Sequence, residues 1–261
     1  MLQAQKIVTN TQLLADLVQL TKDAGDAILE IYHGDDFGIK SKADASPVTA
    51  ADLASHHFLM AGLKRLTPHI PVVSEEDADS LEIPHYNACY WLIDPLDGTK
   101  EFINKNGEFT VNLALIEANK PSFGLVGVPV ANTVYWGGYT LGAFKQLQNN
   151  SQPATPIECV SAQNPIRVLA SKSHLNTATT SLIDTLGPVT LVQAGSSLKF
   201  IRIAEGLADY YPRLAPTCEW DTAAAQAVLE GAGGSVKQAS GEAMVYGKMN
   251  ILNPHFIASG E

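Results

Sequence analysis

Tyr90-Trp91-Leu92-Ile93-Asp94-Pro95-Leu96-Asp97-Gly98-Thr99 joins an apolar run to a sharp turn. The first four residues read as a buried strand. Gly98 frees the backbone to turn, and Pro95 fixes one dihedral beside it. Asp94 and Asp97 are thereby held three residues apart on a stiff strand-to-turn junction. Two carboxylates so close repel each other unless something neutralises them, and clustered carboxylate oxygens suit Mg²⁺. The backbone N–H groups of Gly98, Thr99 and Lys100 are then placed to face a phosphate. An Asp-Gly pair alone also serves many solvated hairpin turns. The preceding strand, and further acids elsewhere in the chain, favour the cation site.

Upstream of this run, Leu13, Leu17, Leu20, Ala24, Ile28 and Ile31 recur at helical spacing, predicting a helix over 10–32 that His33-Gly34 stops. A polar loop follows to Pro47. Thr49 is placed to cap a second helix running to about Leu66, with Asp52 three residues on as a capping-box acid. Leu53, Met60, Leu63 and Leu66 are its expected inward residues. Ile70-Pro71-Val72-Val73 is a short strand, ending in the acidic Ser74-Glu75-Glu76-Asp77.

Downstream, Phe109 to Ile116, Phe123 to Val130, Val134-Tyr135-Trp136 and Gly142 to Lys145 predict an antiparallel meander. Residues 146–165 are polar and proline-bearing, the best linker candidate. Beyond them strands (167–171, 189–192, 209–211, 235–236, 251–252) alternate with helices (175–186, 197–206, 222–231), which suggests α/β layering. The expected organisation is an α+β domain over 1–150 that carries the metal-binding motifs. An α/β domain over 160–261 would complete the metal and substrate site.

Bulk properties narrow the classes. The 261 residues carry a formal net charge of −10, which disfavours a nucleic-acid polymer or an anionic membrane as partner. A small anionic substrate stays open, because bound metal inverts the local field. Cys89, Cys159 and Cys218 are far apart and form no CxxC, so neither a disulfide framework nor a zinc site is expected, and a reducing cytoplasm fits. No signal-peptide pattern opens the sequence, and no apolar run approaches the roughly 18 to 20 residues of a membrane span. Nucleophile elbow, P-loop and HExxH motifs are missing. His56-His57 lacks ligand spacing to an acid and reads as surface or partly buried packing.

Trp220-Asp221 stands before the helix at 222, where an acid is a good N-cap but also one more carboxylate at an element boundary. Glu75, Asp94, Asp97 and Asp221 together supply enough hard oxygens for two Mg²⁺ ions, as in two-metal phosphatases. A basic group lies in the C-terminal half: Ser171-Lys172-Ser173-His174, Gly195-Ser196-Ser197-Leu198-Lys199 and Tyr211-Pro212-Arg213. It could hold a second anionic group of the substrate. The plain alternative makes Lys199 and Arg213 surface charges for solubility.

Asp94-Pro95-Leu96-Asp97-Gly98-Thr99, with Glu75-Glu76 upstream and Trp220-Asp221-Thr222-Ala223-Ala224 downstream, resembles the inositol monophosphatase superfamily of lithium-sensitive, Mg²⁺-dependent phosphomonoesterases. The likeness runs from the first helix to Gly234. Within that superfamily, Ser46 to Asp52, Ser74 to Asp77, Gly195 to Phe200 and Tyr211 to Leu214 look like the CysQ-type 3′(2′),5′-bisphosphate nucleotidases. Those enzymes convert adenosine 3′,5′-bisphosphate to AMP and phosphate in connection with sulfate assimilation. The resemblance implies a layered αβαβα sandwich. It implies that Glu75, Asp94 and the Leu96 carbonyl bind one metal and that Asp94, Asp97 and Asp221 bind a second. A weaker third ion would sit at Glu75. Thr99, hydrogen-bonded to Asp52, would orient the attacking water, and the Gly98 and Thr99 N–H groups would take the phosphate. His174, Ser196, Lys199 and Arg213 would contact the nucleotide and its 5′-phosphate. The implied chemistry is in-line displacement by a metal-activated water, with no covalent phosphoenzyme. A monomer or homodimer is compatible with the likeness, as is a cytoplasmic location, free or peripheral at the inner face of the membrane. An inositol monophosphatase, a fructose-1,6-bisphosphatase-like sugar phosphatase and a metal-binding regulatory protein on a degenerate phosphatase fold remain as alternatives.

Overall fold

The helix expected over 10–32 is α2 (Thr11–Tyr32), and a further helix, α1 (Gln3–Thr9), precedes it. Asn10 leaves the helical region between them, and its side chain accepts the Leu13 N–H at 3.1 Å, starting α2 afresh. The first turn of α1 is pinned by Glu117, which accepts the N–H groups of Gln3 and Ala4. The computed structural model describes residues 2–34, 36–41, 47–85, 87–147, 153–170 and 176–260.

Helix α3 (Ala50–Leu66) begins with the capping box expected of Thr49 and Asp52. Its inward face differs from the expected one. Leu53 is exposed, and Ala51, Asp52, Ser55, His56, Leu59, Gly62 and Leu63 are buried. The α2 crossing is close enough that a Cβ on Gly62 would lie 2.2 Å from the end of the Leu20 side chain, which would have to move aside.

A two-residue ribbon, β1 (Lys40–Ser41) with β2 (Pro47–Val48), precedes α3. Among the described residues the main sheet has seven strands in sequence order: β3 (Val72–Ser74), β4 (Cys89–Asp97), β5 (Thr110–Glu117), β6 (Lys120–Val128), β7 (Thr133–Gly138), β8 (Gly142–Leu147) and β9 (Thr155–Ile157). Only the β3–β4 pairing is parallel; the rest form the expected meander. The proposed linker at 146–165 therefore needs correction. Thr155–Ile157 pairs with β8 as the seventh strand, its Pro156 tolerated because it lies at the sheet edge. Residues 148–152 lie outside the described residues.

Both faces of this sheet are covered, which explains its nearly continuous apolar runs. Trp91, Ile93, Leu113, Leu115 and Phe123 pack with α1, α2 and α3. Tyr90, Leu92, Ala114, Ile116 and Val126 pack with α6 (Leu198–Ala204) and α7 (Ala223–Gly231), the helices that follow α4 (Thr99–Ile103) and α5 (Thr177–Asp184). The alanine-rich α7 approaches β6 so closely that a Cβ on Gly124 would meet the Ala224 carbonyl at 2.2 Å.

The second sheet has the order β11 (Val189–Gln193), β10 (Ile166–Ala170), β12 (Tyr210–Arg213), β14 (Phe256–Ser259), β13 (Ser235–Gln238). Ile251-Leu252 is no strand of it; Leu252 makes one isolated bridge, to Cys218. The missed strand is β14, four residues lying between β12 and β13. With α5 against β12, the layers run helix, sheet, helix, sheet, helix, the sandwich expected from the sequence.

Candidate active site

Strand β4 delivers the acids. Its ladder with β5 is regular to Asp94 and resumes at Asp97, with a register shift between them. That irregularity turns both carboxylates out of the pleat toward one end of the sheet. Gly98 then takes φ +94°, a left-handed conformation that starts α4. From the other half of the chain, a turn of 3₁₀ helix (Glu219–Asp221) brings in Asp221, whose carboxylate accepts the Cys218 N–H at 2.7 Å. One carboxylate oxygen from each of Asp94, Asp97 and Asp221 lies within 4.8 Å of the others. Glu75, at the end of β3, faces the same cavity, and its charge acts on both Asp94 and Asp221.

The clustering has an electrostatic cost. Burial, then the charges of Glu75, Asp97, Asp221 and Asp52, raise the Asp94 carboxyl well above its ordinary range. Burial and the neighbouring Asp97 push Asp221 up to about 8. Burial pushes Asp97 up to about 6, opposed by Lys199 and by the Ser197 N–H, which donates to it at 2.6 Å. Hard, mutually repelling oxygens, Asp94 buried and Asp97 and Asp221 half-buried, on a rigid frame are the donor set a Mg²⁺ ion satisfies. The Leu96 carbonyl belongs to the same bulge, and Leu96 lines the cavity.

The cavity is about 490 Å³ in volume, and Asp94, Asp97, Gly98, Thr99, Ser196, Lys199, Arg213 and Asp221 are among the residues lining it. Asp52 lies behind that wall, at 2% exposure. Its carboxylate takes the Thr99 hydroxyl at 3.2 Å on one oxygen. The Thr49 N–H and hydroxyl bind its other oxygen, at 2.7 and 2.6 Å. Burial raises the Asp52 carboxyl, and the Thr49 bonds oppose the rise. The contact between Thr99 and Asp52 is the one the resemblance implied.

Lys199 is no surface charge. It is 5% exposed, donates to the Ser196 carbonyl at 2.7 Å, and sits 5.3 Å from the centre of the Tyr211 ring. Burial pulls its ammonium down to about 8 against the pull of Asp97. Arg213 is half-buried in the same wall, donates to the Pro216 carbonyl, and keeps a buried Nε with no hydrogen-bond partner among the described residues. Ser196 has φ +42°, bending the chain so that the next N–H reaches Asp97. His174, with Ser171, Lys172 and Ser173, lies outside the described residues.

Sequence reasoning missed the groups that hold Asp97. Ser197 bonds Asp97 by its N–H and Asn112 Oδ1 by its hydroxyl at 2.9 Å. Asn112 reaches the same carboxylate at 3.4 Å, and Thr110 lies 2.8 Å from the Ser197 hydroxyl. Asn112 was legible only as a polar break in an otherwise apolar strand.

The fold and the acid cluster place the chain in a class of phosphate-ester hydrolases: it belongs to the inositol monophosphatase family, whose model matches residues 9–259. The chain is similar to the 3′(2′),5′-bisphosphate nucleotidase CysQ of Escherichia coli K12, at 44% identity over 249 residues, covering 95% of this chain and 99% of that protein. The protein of the same name from Salmonella typhimurium LT2 is 43% identical, with 94% and 98% covered. The crystal structure of CysQ from Bacteroides thetaiotaomicron superposes with a TM-score of 0.82 at 37% identity, covering 95% of this chain and 97% of that one. Among the described residues no helix is long and apolar enough to cross a membrane.

Proposed function

We propose that the chain is a Mg²⁺-dependent phosphomonoesterase that hydrolyses adenosine 3′,5′-bisphosphate to AMP and phosphate, by in-line attack of water and without a covalent phosphoenzyme. One observation carries the reading. One cavity is lined both by the carboxylate cluster and by Lys199 and Arg213, a combination suited to a small substrate with two phosphates. The names of the 44%-identical relatives point to the same substrate.

Glu75, Asp94, the Leu96 carbonyl, Asp97 and Asp221 would hold two Mg²⁺ ions, with room for a third at Glu75. Bound there, Mg²⁺ supplies positive charge for the phosphoryl oxygens and lowers the pKa of water. Thr99 spends its proton on Asp52, so its lone pairs are left to accept from the attacking water and aim it. The Gly98 and Thr99 N–H groups receive the phosphate being cleaved. Ser196, Lys199 and Arg213 bind the 5′-phosphate, and His174 joins them on the nucleotide.

A phosphate-release panel of adenosine 3′,5′-bisphosphate, inositol 1-phosphate and fructose 1,6-bisphosphate, with Mg²⁺, with EDTA and with added Li⁺, tests this. The expected result is Mg²⁺-dependent release with the highest kcat/KM on the adenosine bisphosphate. A preference for the inositol or sugar ester would overturn the substrate assignment. No release from any of the three would favour a binding protein.

A further inference from the structure

Helix α3 presents a polar stripe where an inward helical face is ordinarily apolar. Asp52, Ser55 and His56 stand at i, i+3 and i+4 and are 2%, 0% and 9% exposed. Each meets a different segment of the site. Asp52 meets Thr99, the Ser55 hydroxyl donates to the Pro95 carbonyl at 2.7 Å, and His56 Nδ1 lies 2.8 Å from the Ser74 hydroxyl.

The Ser55 contact answers a problem that the bulge creates. The β4–β5 register skips between Asp94 and Asp97, so Pro95 and Leu96 have no ladder partner on β5. A buried carbonyl there needs another donor. Ser55 supplies it, and does more than satisfy an oxygen. The Pro95 carbonyl and the Leu96 N–H belong to one planar peptide unit. That N–H donates to Asp94 Oδ1 at 3.1 Å. One rigid plane is thus held by α3 at one end and steers the Asp94 carboxylate from the other. It also sets the direction in which the chain leaves toward the Leu96 carbonyl. His56 does the parallel work on the other turn: the Ser74 hydroxyl also accepts the Glu76 N–H at 3.3 Å, so the peptide segment carrying Glu75 is fixed from both sides.

We propose that Ser55 and His56 are positioning residues of the metal centre, Ser55 for Asp94 and Leu96 and His56 for Glu75. This rests on the reading that those groups bind Mg²⁺. The test is Mg²⁺ titration of the full chain, followed by calorimetry and by the rise in Tm with Mg²⁺ concentration. Ser55→Ala and His56→Ala should each weaken Mg²⁺ binding about 10- to 100-fold, as loss of groups behind a ligand does. The KM for the bisphosphate at saturating Mg²⁺ should hold. Thr21→Val is the structural control: it deletes a fully buried hydroxyl on α2 that bonds only its own helix, and should lower Tm without moving Mg²⁺ affinity. Ser55→Cys and His56→Asn decide the matter wherever an alanine variant does not fold. Either should bind Mg²⁺ more weakly than wild type but more tightly than the alanine variant where that variant can be read. A folded variant that binds Mg²⁺ as wild type does overturns the assignment of its residue. Wild type that binds no Mg²⁺ overturns the metal reading beneath it, and this proposal with it.

Discussion

Raising the pH should destabilise the metal-free chain, and Mg²⁺ should reverse the loss. Asp97 and Asp221 carry carboxyls raised to about 6 and about 8 from an ordinary 3.8. A folded-state value above the unfolded one means the folded chain holds more protons between the two, so stability falls as pH rises through that window. From about pH 5 to about pH 7, Asp221 stays protonated in the folded chain and is ionised in the unfolded one, which removes ~3 kcal/mol at ~1.4 kcal/mol per pH unit. Asp97 follows this slope only until it ionises midway, and contributes ~1 kcal/mol. Asp94, raised for the same reasons, acts in the same direction. The sum of ~4 kcal/mol corresponds to a fall in Tm of about 8 °C for a chain of this size. The assay is thermal unfolding in EDTA and in excess Mg²⁺ at each pH. Mg²⁺ should stabilise far more at the higher pH, where it does not compete with protons. Asp221→Asn keeps an oxygen for the Cys218 N–H and has no proton to lose on unfolding, so in EDTA near neutral pH it should be more stable than wild type while responding less to Mg²⁺. A metal-free Tm that is flat or rises over this range, or equal Mg²⁺ stabilisation at both pH values, would refute the reasoning.

Asp97→Asn should remove most activity at ordinary Mg²⁺ with an unchanged circular dichroism spectrum; full turnover would show that Asp97 is no ligand. Lys199→Met and Arg213→Ala should each raise KM for the bisphosphate about 10-fold or more, the worth of a charge-assisted hydrogen bond, and affect a monophosphate much less. The wild-type KM for the bisphosphate should climb above about pH 8, where Lys199 loses its proton, and Lys199→Met should lack that limb. Equal effects on both substrates would say this pair does not read the second phosphate. Gly98→Ala places a Cβ 3.2 Å from the Ser196 Cβ at φ +94°, a strain of about 1–2 kcal/mol, and should lower both Tm and kcat; wild-type values for both would show that the turn tolerates a side chain.

The sequence was most legible where local chemistry decides the structure. The Thr49–Asp52 capping box, the apolar strand into Asp94 and the meander after it depend on neighbours within a few residues, and all stand as read. The errors share a cause: they depended on partners far along the chain. Leu53 fits a helical apolar pattern, but α3 turns toward the polar ends of β3 and β4, so polar residues at 52, 55 and 56 take the interior. Thr155–Ile157 and Phe256–Ser259 are too short to announce themselves, and become strands because β8, β12 and β13 offer open edges. His56 has no acid at ligand spacing, and its partner, the Ser74 hydroxyl, lies 18 residues along the chain. A residue that fixes another residue's backbone carries no ligand spacing to find.

The carboxylate cluster also joins the two halves of the molecule. Asp94 and Asp97 come from the main sheet, whereas Asp221 arrives on the turn that opens α7, so repulsion among them acts across the middle layers. The opposing attraction is built at the same junction. Ser197, at the start of α6, bonds Asp97 and Asn112 on neighbouring main-sheet strands, and Thr110 closes the group beneath them. Thr110, Asn112 and Ser197 are all buried, and a satisfied buried network fixes geometry more firmly than apolar packing does, because any slip leaves several polar groups without partners at once. The metal-free chain can therefore hold its acids in place while they repel one another. Neutralising cations then enter a site whose shape is already set, and little binding energy is lost to reorganisation.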